Sequence, residues 1–355
     1  MKQDSCQSAR ALDVPPGFLA PVAVSWQWAR STTKCETWES RRRFRVRLGG
    51  VKNLCAMSTV WKVGIGANLN LNVMTARRKL NVLDHQPARL PGYAIAFHEG
   101  LRPFMVEPAF ATIRLAEEGD VCVHGLAVLL SEEDARKLDR QEGASKVYSV
   151  EEILAELYDG RKVKAEVYVA KWALSSVPPS KRYLTLMIEG ARMLGVHAEY
   201  LNHLESLPYY IPSEETIRKR SLWPKPQTLP PITLSDMQEH KKKEGARMWY
   251  SLLGYVFERN RITFSPLLRE GCDSSARRLA FLRCQSLDSD DNARPFPRLD
   301  QLSSDEREYF LQAMDNDTAT EGVEMVGHLV EFWEDQVLDH LLGDLCTAAE
   351  TTMTP

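Results

Sequence analysis

From Trp61 the chain condenses into an apolar run ending in glycines, Val63-Gly64-Ile65-Gly66-Ala67-Asn68-Leu69. This run constrains the fold more than any other segment, because it reads as a buried strand turning sharply into a loop whose backbone is uncovered. A dinucleotide-binding reading fails on spacing, since Leu69 stands where GxGxxG needs its third glycine. A loop of this kind can still offer backbone N–H groups to a carboxylate or carbonyl oxygen.

The segments after the loop are short and mixed. Tyr93–Phe97, Phe110–Arg114 and Val121–Leu130 read as strands, and the alternation of Val163, Ala165, Val167 and Val169 reads as another with one buried face. Ser131 and Asp134 predict a helix start, with Gly143 just beyond its end. After Pro178-Pro179-Ser180 comes a helix with a core stripe of Leu184, Met187, Ile188, Ala191 and Leu194, closed by Gly195. Strands interspersed with few helices imply an α+β domain over 57–222. The stretch Trp223-Pro224-Lys225-Pro226-Gln227-Thr228-Leu229-Pro230-Pro231 marks residues 223–240 as a linker or extended arm. Beyond it, 241–355 reads as mainly helical. Segments lie near Glu244–Phe257 and Ser274–Leu287, a capping box at Ser303 and Glu306, and a stripe at Val326, Leu329, Val330, Trp333, Val337 and Leu341.

Charge and cysteine usage narrow the function classes. Residues 1–56 hold ten Lys and Arg against four acids, a net of +6, so the rest of the −3 chain carries −9. An acidic body gives no electrostatic reason to expect nucleic acid or an anionic membrane as partner. The first 56 residues read as a disordered leader, with an organellar transit peptide as the alternative to a cytoplasmic protein. Seven cysteines without a CxxC pair suit reduced thiols, and no His, Cys or carboxylate spacing suggests a metal. Glu142 closes Leu138-Asp139-Arg140-Gln141-Glu142-Gly143 at the negative end of a helix, where a carboxylate is pushed toward the raised pKa of a general base.

These residues carry a resemblance. Gly66-Ala67-Asn68-Leu69 resembles the YGSNL loop of the γ-glutamylcyclotransferases, and Phe110-Ala111-Thr112-Ile113 resembles their G-x-A-T-[IV] strand. Leu138-Asp139-x2-Glu142-Gly143-x4-Tyr148 matches LDxxEG-x4-Y, and Pro179-Ser180-x2-Tyr183-x6-Gly190-Ala191 matches PSxxYxxxxxxGA. The resemblance implies a small mixed β-barrel flanked by helices. It also implies cofactor-free closure of a γ-glutamyl unit to 5-oxoproline with release of an amine. Glu142 would be the general acid/base, and Ile65, Gly66, Ala67, Asn68, Leu69, Tyr148, Tyr168 and Tyr183 would form the substrate site. A γ-glutamyl dipeptide or a glutathione-like peptide would be the substrate. Ile65 and Ala67 replace the family's Tyr and Ser, which keeps a second reading open: a weak or inactive domain that binds a small ligand or a protein. The C-terminal helices are the expected surface for a homodimer or partner.

Overall fold

The computed structural model describes residues 58–99, 106–144, 146–171, 174–243, 245, 247–261, 267–268, 270–283, 285 and 295–334, all within the compact unit Cys55–Pro355. The leader expected at 1–56, and the stripe positions Val337 and Leu341, lie outside the described residues.

Strand β1 (Thr59–Gly64) is the axis of the first module. It pairs antiparallel with β4 (Cys122–Ser131) and parallel with β6 (Lys162–Ala170). β5 (Tyr148–Leu157) follows β6, and β2 (Asp84–Glu99) follows β4. Pairing of Ala88 with Leu157 and Arg89 with Glu156 joins β2 to β5, so β2, β4, β1, β6 and β5 close into a five-stranded barrel. Closure removes the exposed edges that an open sheet would present. β2 is longer than the strand expected at Tyr93–Phe97. Its register shifts between Leu90 and Ala94, around Pro91, and beyond that point it pairs with β3 (Ala109–Leu115). Pro87 and Pro91 both lie inside β2, although neither can donate to a ladder.

The interior is filled by alternate residues of the ring, among them Val63, Leu90, Leu126, Val128, Ile153, Ala155, Ala165 and Val167. Helix α1 (Glu132–Glu142) starts where Ser131 Oγ accepts from the Asp134 N–H at 3.1 Å, and Gly143 caps its end. Helix α2 (Lys181–Leu194) buries Leu184, Met187 and Ala191 on the barrel, as its stripe predicts. Helix α3 (Ala198–Ser206) follows and inserts Tyr200 and Leu204 into the same core.

The second module adds a sheet to the mainly helical region expected there. Helix α4 (Glu214–Arg220) leads to a four-stranded sheet of order β7 (Pro231–Ile232), β10 (Glu324–Leu329), β9 (Tyr255–Arg259) and β8 (Met248–Leu252). Helices α5 (Leu234–Lys241), α6 (Ser275–Leu282), α7 (Ser304–Ala319) and α8 (Val330–Glu334) complete it. The segment read as a helix near Glu244–Phe257 contains the β8–β9 hairpin. Leu253 and Gly254 both take positive φ in its turn, and a Cβ on Gly254 would meet Phe332 and Trp333. The stretch read as a linker is built in: β7 pairs parallel with β10, and the His328 N–H donates to the Pro230 carbonyl at 2.9 Å. The stripe Val326, Leu329, Val330, Trp333 straddles β10 and α8, so its apparent helical period spans two elements. The capping box at Ser303 and Glu306 opens α7 as expected.

One buried titratable group sets a pH dependence. His124 on β4 is 4% exposed, its Nδ1 bonds the Tyr158 hydroxyl, and its ring stacks on Tyr200 with centroids 5.0 Å apart. Burial, then the nearby His197 and Arg89, push its pKa down to about 4. A depressed imidazole pKa means that the unfolded chain takes up a proton the native chain refuses. The stability from neutral His124 is therefore full above pH about 6.5 and drains as pH falls toward 4, at most about 3 kcal/mol in all. Burial of Asp273 raises its carboxyl to about 6 and works in the opposite direction, favouring the fold as pH falls. Urea unfolding of wild type and His124→Gln cancels that shared term: the difference in slope between pH 7 and 4.5 is expected to belong to His124. Parallel stability curves for the two proteins would contradict this.

Candidate active site

The glycine loop is a single 3-10 turn, Gly66–Leu69, wedged between elements that leave no room for a Cβ at Gly64 or Gly66. A Cβ on Gly64 would lie 2.3 Å from the Asn68 carbonyl oxygen. Gly66 has φ +59°, and a Cβ there would lie 2.3 Å from the Tyr183 hydroxyl. From behind, Gly190 of α2 lets that helix approach the backbone of Asn70. The Tyr183 oxygen accepts from the Ala67 N–H at 3.4 Å and from the Ala111 N–H at 3.2 Å. One phenol thus ties α2 and β3 to the loop, bringing together three of the four sequence motifs. Burial raises its pKa to about 12 despite those two donors, so it stays a neutral hydroxyl. Within the turn, the Asn68 N–H donates to the Ile65 carbonyl and the Asn70 N–H to that of Ala67, each at 3.2 Å. The side chains of Ile65 and Leu69 face the barrel core.

Glu142 ends α1 directly over this turn. Its Oε1 accepts from Asn68 Nδ2 at 2.8 Å and pairs with the Arg78 guanidinium, whose Nε donates to Asn68 Oδ1 at 2.8 Å. Glu142, Arg78 and Asn68 form a closed triangle in which the Glu142 and Arg78 side chains are each 13% exposed. The sequence does not single out Arg78. It follows a five-residue π-helical turn, Val73–Arg77, anchored by the fully buried Val73 and Met74. The only signal is the cationic run Arg77-Arg78-Lys79 after the loop, and nothing in it says which member turns inward.

The other two tyrosines flank the carboxylate through a second layer of contacts. The Tyr148 hydroxyl bonds His98 Nε2 at 3.0 Å, and its ring meets that of Tyr168 edge-on at 6.1 Å. The Tyr168 hydroxyl donates to Asp139 Oδ1 at 2.6 Å. Asp139 in turn pairs with the buried Lys62 at 2.7 Å, which also holds Glu166 at 2.5 Å. Burial holds both phenols well above their usual pKa, and the Glu142 charge adds to it, so both remain O–H donors at neutral pH. His98, Lys62 and Asp139 are further members that sequence reasoning did not assign; burial pushes the His98 imidazole down. Among the described residues no group of three or more His, Cys, Asp or Glu is placed to hold a metal ion.

The site therefore presents one anchored carboxylate, a ring of neutral phenols and a tight backbone turn, a set suited to moving a proton and orienting a polar head group. Residues 122–204, from β4 through α3 and including Glu142, match the model of the AIG2-like family. The barrel resembles the γ-glutamylcyclotransferases. The γ-glutamyl cyclotransferase gliK of Claviceps purpurea is 29% identical over 152 residues, which is 41% of this chain and 68% of that protein. Its namesake in Aspergillus fumigatus is 30% identical over 176 residues, 43% of this chain and 64% of that protein. The chain thus spans about two thirds of the length of these relatives. A solved γ-glutamyl cyclotransferase superposes on 44% of this chain and 95% of its own, at 22% identity and a TM-score of 0.38. A yeast γ-glutamyl cyclotransferase specific to glutathione covers 41% and 94%, at 15% identity and a TM-score of 0.32.

Proposed function

We propose that the γ-glutamylcyclotransferase-like domain converts γ-glutamyl compounds into 5-oxoproline and a free amine. The observation that carries this reading is the fixing of the Glu142 carboxylate by Asn68 of the glycine loop, beside three neutral phenols. Glu142 takes a proton from the substrate's α-ammonium, and the freed amine attacks the γ-carbonyl carbon of the same molecule. The ring closes as the C–N bond to the leaving amine breaks, and Glu142 returns the proton to that amine. Because nucleophile and electrophile sit in one molecule, the reaction begins with the proximity advantage, and the enzyme chiefly moves a proton and steadies a developing oxyanion.

A second reading, ligand binding without turnover, is favoured by a different observation. Ile65 and Ala67 bring no hydroxyl to the loop, and the Ala67 N–H is engaged by Tyr183. Incubating the protein with a panel of γ-glutamyl amino acids and glutathione separates the two. Release of 5-oxoproline supports the enzyme. Saturable binding of the same compounds without product supports the second reading.

A further inference from the structure

We propose that Arg78 binds the α-carboxylate of the ligand, so that Arg78 and Glu142 together select a zwitterionic α-amino-acid head. This rests on the γ-glutamyl reading of the site. The triangle with Asn68 uses only part of each group: Arg78 engages through Nε and Nη2, and Glu142 through Oε1. Among the described residues Arg78 Nη1 and Glu142 Oε2 make no hydrogen bond, and neither is among the buried atoms lacking a partner. A donor edge of +1 charge and an acceptor of −1 charge therefore lie side by side, open to a ligand. An α-amino-acid head carries the complementary pair, an ammonium for Oε2 and a carboxylate for Nη1.

Charge logic makes the cation necessary. A site holding Glu142 alone would attract the α-ammonium and repel the α-carboxylate one carbon away, at low exposure where such repulsion is weakly screened. Lys62 cannot answer it, because Asp139 and Glu166 already hold its ammonium. The planar guanidinium of Arg78 suits a carboxylate and is held by Asn68, while the Arg78 backbone N–H donates to the Val73 carbonyl at 2.9 Å. The same guanidinium repels a simple amine or polyamine. The ligand class is thus α-amino acids with the side chain extended toward the loop, and amines lacking the α-carboxylate are excluded.

The test pairs two ligands with three proteins. The ligands are γ-glutamyl-alanine and its analogue with the glutamyl α-carboxylate converted to carboxamide; the proteins are wild type, Arg78→Met and Arg78→Lys, each shown folded by its melting curve. Wild type should prefer the free acid by about 10- to 100-fold in kcat/KM, expressed mainly in KM. Arg78→Met should lose most of that preference, and Arg78→Lys should recover part of it. Equal losses on both ligands, or no loss on either, would overturn the assignment while leaving the cyclisation reading intact. Calorimetric binding of L-glutamate against its α-carboxamide keeps the two ideas separable. Discrimination by wild type but not by Arg78→Met, without any 5-oxoproline from γ-glutamyl-alanine, would sink the cyclisation reading and keep Arg78 as the carboxylate binder.

Discussion

Replacing Glu142 with Gln is expected to reduce 5-oxoproline release by about 1,000-fold while leaving the fold unchanged, because it removes the carboxylate proposed to take and return the substrate's proton. Gln retains an oxygen to accept from Asn68 and Arg78, so the loop, the turn after it and α1 keep their contacts. The loss should appear in kcat more than in KM, since the proton transfer belongs to the transition state. Matched melting curves and steady-state rates decide it. A variant within threefold of wild type would remove Glu142 from the mechanism.

Arg220→Met is expected to cost about 3 kcal/mol of stability, lowering the melting temperature by about 8 °C. Arg220 ends α4 and is 7% exposed, with its guanidinium bridging Glu308 at 2.8 Å and Asp315 at 2.7 Å on α7. Both acids lower the cost of keeping it charged, and burial works against that; together they leave its pKa above the usual arginine value. Removing the cation leaves two carboxylates facing each other in a partly enclosed seam. The acids are 29% and 26% exposed, so solvent relieves some of that repulsion and the lower end of the range for broken buried pairs applies. Lys219→Met on the same helix, where the lysine is 68% exposed, should change stability by less than about 0.5 kcal/mol. Equal shifts for the two variants would contradict the bridge as the tie between α4 and α7. Barrel chemistry, measured well below the melting point, should survive both.

How much of this was legible in the sequence depends on how local the signal was. Ser131, Asp134 and Gly143 mark both ends of α1 through interactions within a few residues, and the stripe of α2 repeats over its own length. The same locality places Asn68 in a tight turn and Glu142 at a helix end. What escaped was decided across the fold. Arg78 is set apart from Arg77 and Lys79 by facing Glu142, 64 positions further along. Leu253 adopts positive φ because the β8–β9 hairpin and the Ser275 hydroxyl, which accepts its N–H at 2.7 Å, hold it there, and no leucine advertises that. Pro230 and Pro231 suggest a linker until β10 arrives to pair with them. Tyr183 was legible as a member of the site, but its role in pinning the loop to β3 depends on Ala111 being brought beneath its hydroxyl.

The most direct test of the account is the identity of the glutamyl product formed from a γ-glutamyl amino acid. Cyclisation through Glu142 predicts 5-oxoproline in one-to-one ratio with the released amino acid and no free glutamate. Glutamate in place of 5-oxoproline would mean that water, and not the substrate's own amine, attacks the γ-carbonyl, and would contradict the central claim.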